Sequence, residues 1–460
     1  MPLNVRAFKD YGLILVVCVI ASLMLLGSLR WIPPLQSPDE NAHLARAYAI
    51  SQGDWQLESP SGKTSGISID SNLAQFMHGY LENIHIPGFR LSQEAQSTLN
   101  HLHWGSERIF FPAPGTGYYN PLIYVPHASA WWLGEHLDLT IAQSYTLVRI
   151  SCFVVSLLLL VLAYRLFMPN LVVSGLILLP MTLFQMLMPT IDGICHGLLV
   201  LILSWYCALQ QSNPQSGSAE NYCQKEWFLI GTFCVLIFFL SSARLHALPL
   251  VLLILFLPNH FSWPQKVIGF SLTLAAIAIW ILYASTSVVD LRIAHALSNT
   301  QVLQFYMDHP YRWWQLLSAT LSSATQWYSY TMMFIGVLGW LHVQLPIWYY
   351  SWCAAIFLIL LVMALRMDLP RWQPWNFFHF GLIAFCSIAV MFQALLITWT
   401  PITSPTIEGI QGRYFWIPAC ILAFAIRGGQ PYGKFGWVFL LGLLILNTSI
   451  ILHAYARYYY

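Results

Sequence analysis

The chain has 460 residues, of which 58% are hydrophobic and only 8% are charged, and its formal net charge is +2. Because soluble domains carry about 25% charged residues, this composition excludes a soluble protein and requires a polytopic membrane protein. The small net charge also argues against nucleic acid or another polyanion as a partner.

The apolar runs are continuous over roughly 20 residues instead of alternating at every second residue, which predicts transmembrane helices and excludes a β-barrel. The predicted fold class is therefore an all-α polytopic integral membrane protein, with residues 1–460 forming a single transmembrane domain. The nine cysteines lie almost all inside apolar runs and form no C-x-x-C pair. They are predicted to be packing or lipid-facing residues.

Residues 11–32 form the first predicted span, and Arg6 and Lys9 before it predict a cytoplasmic N-terminus. The hydrophilic stretch 33–119 carries eight acidic residues against four Lys and Arg residues. Because short cytoplasmic loops are the ones that collect Lys and Arg, a loop of this size and sign is expected outside the cytoplasm. We call residues 33–119 the first extracytoplasmic loop.

This loop opens with a sequence typical of a helix start. Ser37 matches an N-cap residue, Pro38 the first helical residue, and Glu40 completes a Ser-x-x-Glu capping box. The sequence therefore predicts a helix that begins directly after the first span.

Three side chains with ionisable groups share one face of this predicted helix. At 3.6 residues per turn, Asp39, His43 and Arg46 fall at positions i, i+4 and i+7, which brings an acid, an imidazole and a guanidinium together. The alternative is a well-capped helix without a function, because acidic residues are favoured in any first helical turn.

The first extracytoplasmic loop ends in a segment rich in aromatic and turn residues, 110–124, which includes Tyr119, Asn120 and Tyr124. Aromatic residues at a membrane boundary usually form an interfacial belt, although as a group they could also form the floor of a sugar site. The second and third spans are predicted at 120–137 and 145–168.

The next apolar stretch, 171–188, is broken by Pro180 and followed by Pro189, after which Asp192 and His196 open another apolar run. An ionisable residue at such a depth costs about 2.5 to 3.5 kcal/mol on insertion scales, which makes Asp192 a functional candidate.

Residues 227–258 form one apolar block that contains Arg244. A single helix of this length would measure about 48 Å, well above the ~30 Å bilayer core, so the block is predicted to be a hairpin with Arg244 at its outer turn. Arg244 is then either a ligand of phosphate or a snorkelling arginine without a ligand.

A span at 265–287 leads to a second polar region, 288–345, which is predicted to begin and end outside, with helices that lie on the membrane or dip into it. The last spans are predicted at 346–366, 377–400, 413–427 and 435–456, for a total of about eleven. Arg366 and Arg427 mark cytoplasmic loops, which leaves Gln411 and Arg413 at the outer mouth.

The layout brings acidic and basic residues to one surface. Carboxylates can deprotonate a hydroxyl nucleophile, and arginines bind phosphate bidentately and stabilise it as a leaving group. A phosphate-linked lipid would satisfy both, whereas the pair His101 and His103 is only a weak indication of a metal. A transporter or flippase of a lipid-linked glycan would use the same arginines without needing Asp39, and a non-catalytic envelope-assembly protein is a third hypothesis.

Four motifs in order resemble a family of bacterial polytopic membrane proteins catalogued as domain of unknown function 2142. They are PLQSPDENAHLARAYAISQG (34–53), YNPLIY (119–124), FIGVLGWL (334–341) followed by Leu345-Pro346, and QGRYF (411–415). That family is similar to the GT-C superfamily of membrane glycosyltransferases.

The resemblance implies an inverting glycosyltransferase in the bacterial inner membrane, with its active site outside the cytoplasm. It implies a polyprenyl-phosphate-sugar donor, a glycan or lipid-linked acceptor of the cell envelope, and Asp39 as the catalytic carboxylate with Glu40 as its neighbour. A divalent cation, Mg²⁺ or Mn²⁺, is left open. The predicted substrate-binding and phosphate-binding residues are His43, Arg46, Tyr119, Asn120, Tyr124, Asp192, Arg244, Gln411, Arg413 and Tyr414.

Overall fold

The computed structural model describes residues 8–211, 219–291, 299–368 and 374–459, and Arg6 lies outside them. The helices of the first half are α1 Phe8–Gly27, α2 Glu40–Ser51, α3 Ser71–Leu81, α4 Gln93–Asn100, α5 Val125–His136, α6 Ile141–Leu166, α7 Leu171–Ile177, α8 Pro180–Leu187, α9 Asp192–Gln211 and α10 Ala219–Ala243. The helices of the second half are α11 Leu252–Leu255, α12 Trp263–Ser287, α13 Asn299–Asp308, α14 Pro310–Ser322, α15 Ala324–Gly336, α16 Ile347–Asp368, α17 Pro374–Thr398, α18 Trp416–Phe424 and α19 Gly433–Tyr459.

Two small antiparallel sheets, which the sequence analysis did not predict, lie in the two polar regions. In the first extracytoplasmic loop, β1 Gly66–Asp70 pairs with β2 Arg108–Pro112. In the second polar region, β3 Val337–Leu338 pairs with β4 Val343–Gln344. These strands are short, so the predicted all-α class holds.

Seven helical segments of the described chain are long and apolar enough to cross a membrane. They are Ile141–Leu166, Asp192–Gln211, Glu226–Ala243, Trp263–Ser287, Ile347–Asp368, Pro374–Thr398 and Gly433–Tyr458. Three shorter apolar helical segments accompany them, Leu15–Arg30, Leu245–Leu255 and Gly412–Phe424. The polytopic membrane architecture expected from composition is therefore confirmed.

The prediction of a span at 120–137 is wrong. The helix there, α5, has 12 residues and is thus about 18 Å long, too short for a ~30 Å bilayer core. Part of it packs within the protein, since buried Trp131 donates its indole N–H to the carbonyl of Leu44 in α2 at 3.2 Å. Helix α5 therefore packs with the polar region 33–119.

The broken stretch 171–188 forms two buried helices, α7 and α8, with Pro180 as the first residue of α8. Proline has no backbone N–H to donate and its φ suits a first helical turn, which explains why the second helix begins there. The predicted hairpin in 227–258 is confirmed, because the chain reverses at Arg244, which has an extended backbone between α10 and the 3-10 helix Leu245–Val251.

Contacts between distant segments define two ends of the helix bundle. At one end, Ser65 donates its backbone N–H to Val289 and Gly88 donates to Tyr458, both at 2.8 Å, which joins the two polar regions and the C-terminal helix. At the other end, Asn170 donates to the carbonyl of Ala423 at 2.8 Å. We call these the loop end and the opposite end.

Against the about eleven predicted spans, the described chain has seven segments with the length and composition of a span, accompanied by the three shorter apolar segments and the α7–α8 pair.

Candidate functional site

Helix α2 begins differently from the prediction. Asp39 is the N-cap, with a left-handed backbone (φ 61°) and no capping hydrogen bond from its side chain, and Pro38 precedes the helix. Ser37 is not the cap, because its hydroxyl has no partner among the described residues. Only half of the predicted capping box forms, in which Glu40 accepts the backbone N–H of Ser37 at 2.9 Å. Short polar residues tolerate the left-handed region, which lets Asp39 turn its carboxylate outward.

Glu40 is a structural residue in this geometry. Its side chain is fully buried, and its oxygens accept hydrogen bonds from Leu35 N–H at 3.2 Å, Ser37 N–H at 2.9 Å and the Tyr145 hydroxyl at 2.6 Å. Burial raises the pKa of Glu40, and these hydrogen bonds oppose that rise. Its carboxylate therefore anchors the turn before α2 and is not exposed as Asp39 is.

An ion cluster forms where three distant elements meet at the loop end of the bundle. Asp192, the first residue of α9, accepts a hydrogen bond from the Arg244 guanidinium through Oδ1. Its Oδ2 accepts from Arg413 Nη1 at 3.4 Å and from Gln185 Nε2 at 3.1 Å. The three ionic side chains are only 10%, 11% and 8% exposed, in that order. We call Asp192, Arg244 and Arg413 the ion cluster.

Aromatic rings extend this cluster toward α2. The Arg244 guanidinium lies 5.2 Å from the ring centre of Tyr119, and its Nη1 donates to the Tyr119 hydroxyl at 3.3 Å. On Tyr119 in turn stacks the His43 ring, with centres 5.8 Å apart and planes 13° from parallel. His43 Nδ1 lies 2.7 Å from the Tyr124 hydroxyl. These side chains form a continuous stack of a cation and two rings.

His43 is neutral in this environment. Burial, followed by the positive charge of Arg244, lowers its pKa to about 3. Burial likewise raises the pKa of Tyr119, which Arg244 opposes. At neutral pH the imidazole therefore acts through its shape and its hydrogen bond to Tyr124 and not as a charge.

Asp39 supplies an exposed carboxylate beside this stack. It is close enough to interact electrostatically with Tyr119 and with Arg413, which ties the start of α2 to the ion cluster. No hydrogen bond to its carboxylate occurs within the described ranges 8–211, 219–291, 299–368 and 374–459. The Asp39 carboxylate is thus accessible to a bound molecule.

The other predicted residues lie around this centre with different roles. Arg46 is buried, donates Nη2 to the Trp55 carbonyl at 2.5 Å and interacts electrostatically with Tyr124. Asn120 caps the 3-10 helix Pro121–Tyr124 by accepting the N–H of Leu122 at 3.1 Å, a local structural role.

Gln411 and Tyr414 flank Arg413. The Gln411 side-chain oxygen is buried without a partner among the described residues. The Tyr414 ring centre lies 5.6 Å from the Arg413 guanidinium. Both residues therefore belong to the wall of the ion cluster.

Residues 23–422 match the sequence profile of a family described as predicted membrane protein (DUF2142). The chain belongs to this family. No curated protein and no solved structure matches it. The region that matches the family runs from α1 into α18 and contains Asp39, the stacked rings and the whole ion cluster.

Three residues near the site, Gln185, His196 and His246, were not among the predicted site residues. The rings of His196 and Trp416 are 3.9 Å apart, and those of His246 and Tyr414 are 6.3 Å apart. Spacing offered a signal, because His196 lies one helical turn after Asp192, and His246 lies two residues after Arg244. Gln185 was visible as an isolated amide inside an apolar run.

The donor set does not fit a divalent cation. Both oxygens of Asp192 accept hydrogen bonds from Arg244, Arg413 and Gln185, which leaves Asp39 as the exposed carboxylate. Across the described part of the chain, no three His, Cys, Asp or Glu residues group as metal ligands. Mg²⁺ and Mn²⁺ prefer several oxygen ligands, which these side chains do not supply together.

Proposed function

We propose that the protein is a GT-C-type glycosyltransferase of a bacterial inner membrane. It transfers a sugar from a polyprenyl-phosphate-linked donor to an envelope glycan or a lipid-linked acceptor. The observation that carries this proposal is the position of exposed Asp39 beside the buried ion cluster. A carboxylate beside two oriented arginines provides both a base for a hydroxyl and a site for a departing phosphate.

Asp39 is the proposed general base. It takes the proton of an acceptor hydroxyl while that oxygen attacks the anomeric carbon of the donor sugar. The bond between this carbon and the phosphate oxygen breaks, and the phosphate leaves with the bonding electrons. A single displacement from the opposite face inverts the anomeric configuration. Glu40 is less suited to this task, because its carboxylate is buried and hydrogen-bonded within the protein.

Arg244 and Arg413 are proposed to bind the donor phosphate. With one carboxylate between two guanidiniums, the ion cluster keeps a formal charge of +1, which favours an anion. Arg413 also has a buried Nε without a partner among the described residues, a donor available to a phosphate oxygen. Preorganised cations stabilise the charge that develops on the leaving group without reorganising during the reaction.

Asp192 is assigned a positioning role instead of direct substrate binding. Both of its oxygens accept hydrogen bonds from other side chains. Two of these are the guanidiniums of Arg244 and Arg413, which come from separate elements and would repel each other without Asp192. His43 and Tyr124 are proposed to hold the Tyr119 ring in place, and the Arg244 guanidinium lies against that ring.

The loop end of the bundle is assigned to the outside of the cytoplasm. Arg366 lies in the last turn of α16 and Arg427 follows the end of α18, both at the opposite end, as the positive-inside rule expects near cytoplasmic loops. Exposed Ser61 and Asn259 test this assignment, because they lie in the first extracytoplasmic loop and in the connection between α11 and α12. In intact spheroplasts, an impermeant maleimide should label Ser61→Cys above the wild-type background and leave Asn259→Cys unlabelled. The reverse pattern would turn the site toward the cytoplasm.

Reconstitution tests the function itself. Purified protein in liposomes receives a polyprenyl-phosphate sugar labelled in the sugar, together with envelope glycan as acceptor. Label that appears in the glycan, with its anomeric configuration inverted by NMR, supports the proposal. Label that crosses the bilayer on an intact donor would instead identify a flippase. If the label is neither transferred to the glycan nor moved across the bilayer, the result favours a non-catalytic assembly protein.

A further inference from the structure

A recess lies at the end of α2 that is remote from Asp39. It has a volume of about 380 Å³, and its lining residues are Ser51, Gln52, Trp132, Glu135 and His136. We call it the Trp132 recess. Helices α2 and α5 both start beside the stacked rings, at Asp39 and Tyr124, and both end at this recess. The 12 residues of α2 separate it from Asp39 by about 18 Å.

The recess has an aromatic wall on α5. The Trp132 side chain is 48% exposed, so part of its indole ring is accessible to a ligand. The His136 ring lies 4.1 Å from the Trp132 ring, and its Nδ1 lies 2.8 Å from the Trp132 carbonyl oxygen. Because a carbonyl only accepts, His136 Nδ1 donates to it, which leaves Nε2 to hydrogen-bond a bound group.

The rest of the lining is polar. Gln52 Nε2 donates to Glu135 Oε2 at 2.6 Å, and Arg108 Nη2 donates to Gln52 Oε1 at 3.1 Å. The Arg108 guanidinium also donates to the Tyr48 hydroxyl, so it is engaged on the protein side. The second carboxylate oxygen of Glu135 can accept further hydrogen bonds.

From this arrangement we infer that the Trp132 recess binds an uncharged sugar residue of a glycan chain. A sugar ring has an apolar face that packs on an exposed indole and a rim of hydroxyls that donate to Glu135 and His136. The volume lies within the 300–1,000 Å³ typical of ligand pockets. Glu135 disfavours phosphates and other anions, and the amide and carboxylate disfavour a lipid tail.

The inference deepens the proposed function and rests on it for the role of the bound glycan. A chain seated in the Trp132 recess and running along α2 brings its end to Asp39 at a distance of about 18 Å, the reach of a short oligosaccharide. The recess is thus an acceptor subsite, which selects a glycan that already contains several sugars over a monosaccharide.

Binding tests the inference without any transfer. The probe is lipid-free polysaccharide, released by mild acid from the envelope of the bacterium that makes this protein, added to the full chain in detergent during calorimetry. We expect saturable binding that Trp132→Ala weakens about tenfold and Trp132→Phe largely retains. The matched control is Trp314→Ala, which removes a 58% exposed indole from α14 and should leave binding unchanged.

Absence of binding by the wild type, or equal binding by Trp132→Ala and the wild type, would overturn the inference. The same measurement on Asp39→Asn separates the two proposals. If that variant binds the polysaccharide normally and the wild type transfers no sugar, the recess stands and the proposed function fails. If the wild type transfers sugar and Trp132→Ala leaves KM for long acceptors unchanged, the function stands and the recess fails.

Discussion

Replacing Asp39 with Asn tests the centre of the proposed mechanism. The substitution keeps the size of the side chain and removes the proton acceptor. If Asp39 is the base, turnover should fall by about 10² to 10⁴, which corresponds to about 3 to 5 kcal/mol of transition-state stabilisation. Donor KM should change little, because the donor phosphate meets Arg244 and Arg413 instead.

The structure predicts that this loss occurs without unfolding. Asp39 is exposed, and its side chain makes no capping hydrogen bond. Asn tolerates its left-handed backbone. The change in the free energy of unfolding should therefore stay within about 0.5 kcal/mol, as for most surface substitutions. Matched melting temperatures would show that the variant is folded.

Asp138 provides the matched control. It is also exposed and has a left-handed backbone, with φ of 52° against 61° for Asp39, but its carboxylate lies 3.9 Å from His103 Nδ1 and not beside the ion cluster. Asp138→Asn should transfer sugar at the wild-type rate in the reconstituted assay. The reasoning is refuted if Asp39→Asn retains near-full transfer. If Glu40→Gln then abolishes transfer in a folded protein, the base is Glu40.

Three further predictions concern the ion cluster and the stack. Asp192→Asn leaves two guanidiniums together in a buried site without a carboxylate between them. The free energy of unfolding should therefore fall by about 3 to 5 kcal/mol, which a lower melting temperature would show. An unchanged melting temperature would contradict the positioning role of Asp192. Arg413→Lys keeps the charge but loses the two-pronged geometry, so donor KM should rise and kcat should fall, each roughly tenfold. An effect on acceptor KM alone would remove Arg413 from the phosphate. The pKa of His43 is lowered to about 3, so its contribution to stability is present above about pH 6.5 and decreases as the pH falls toward 3. Between pH 7 and pH 5 the wild type should lose about 2 kcal/mol more stability than His43→Gln, and equal losses in both proteins would show that His43 is protonated in the folded state.

Local sequence patterns predicted much of the helical framework. The scarcity of charge identified a membrane protein, and the length of the 227–258 block identified a hairpin that turns at Arg244. The error at 120–137 has a clear cause. An apolar segment has the same composition whether it faces lipid or another helix. Composition therefore could not reveal that the Trp131 indole of α5 packs against α2.

The start of α2 likewise shows that local sequence patterns do not reveal long-range contacts. Ser37-Pro38-Asp39-Glu40 has the pattern of a capping box, and a local rule places the cap at Ser37. Tyr145 in α6, which lies 105 positions from Glu40, binds the Glu40 carboxylate and helps to hold that residue in the interior. The cap consequently falls on Asp39, in a conformation that local propensity alone does not favour.

The sequence by itself determined the class of protein and nominated nearly all the side chains of the site. Solvent preference and helix length depend on residues close together in the chain, so composition and periodicity reveal them. Tertiary structure decided which of those side chains meet. Asp192 joins Arg244 and Arg413 across 52 and 221 positions, because the packing of α9 against its neighbouring segments brings them together. The same packing exposed Asp39 and buried Glu40, a difference that two adjacent acids in a sequence do not reveal.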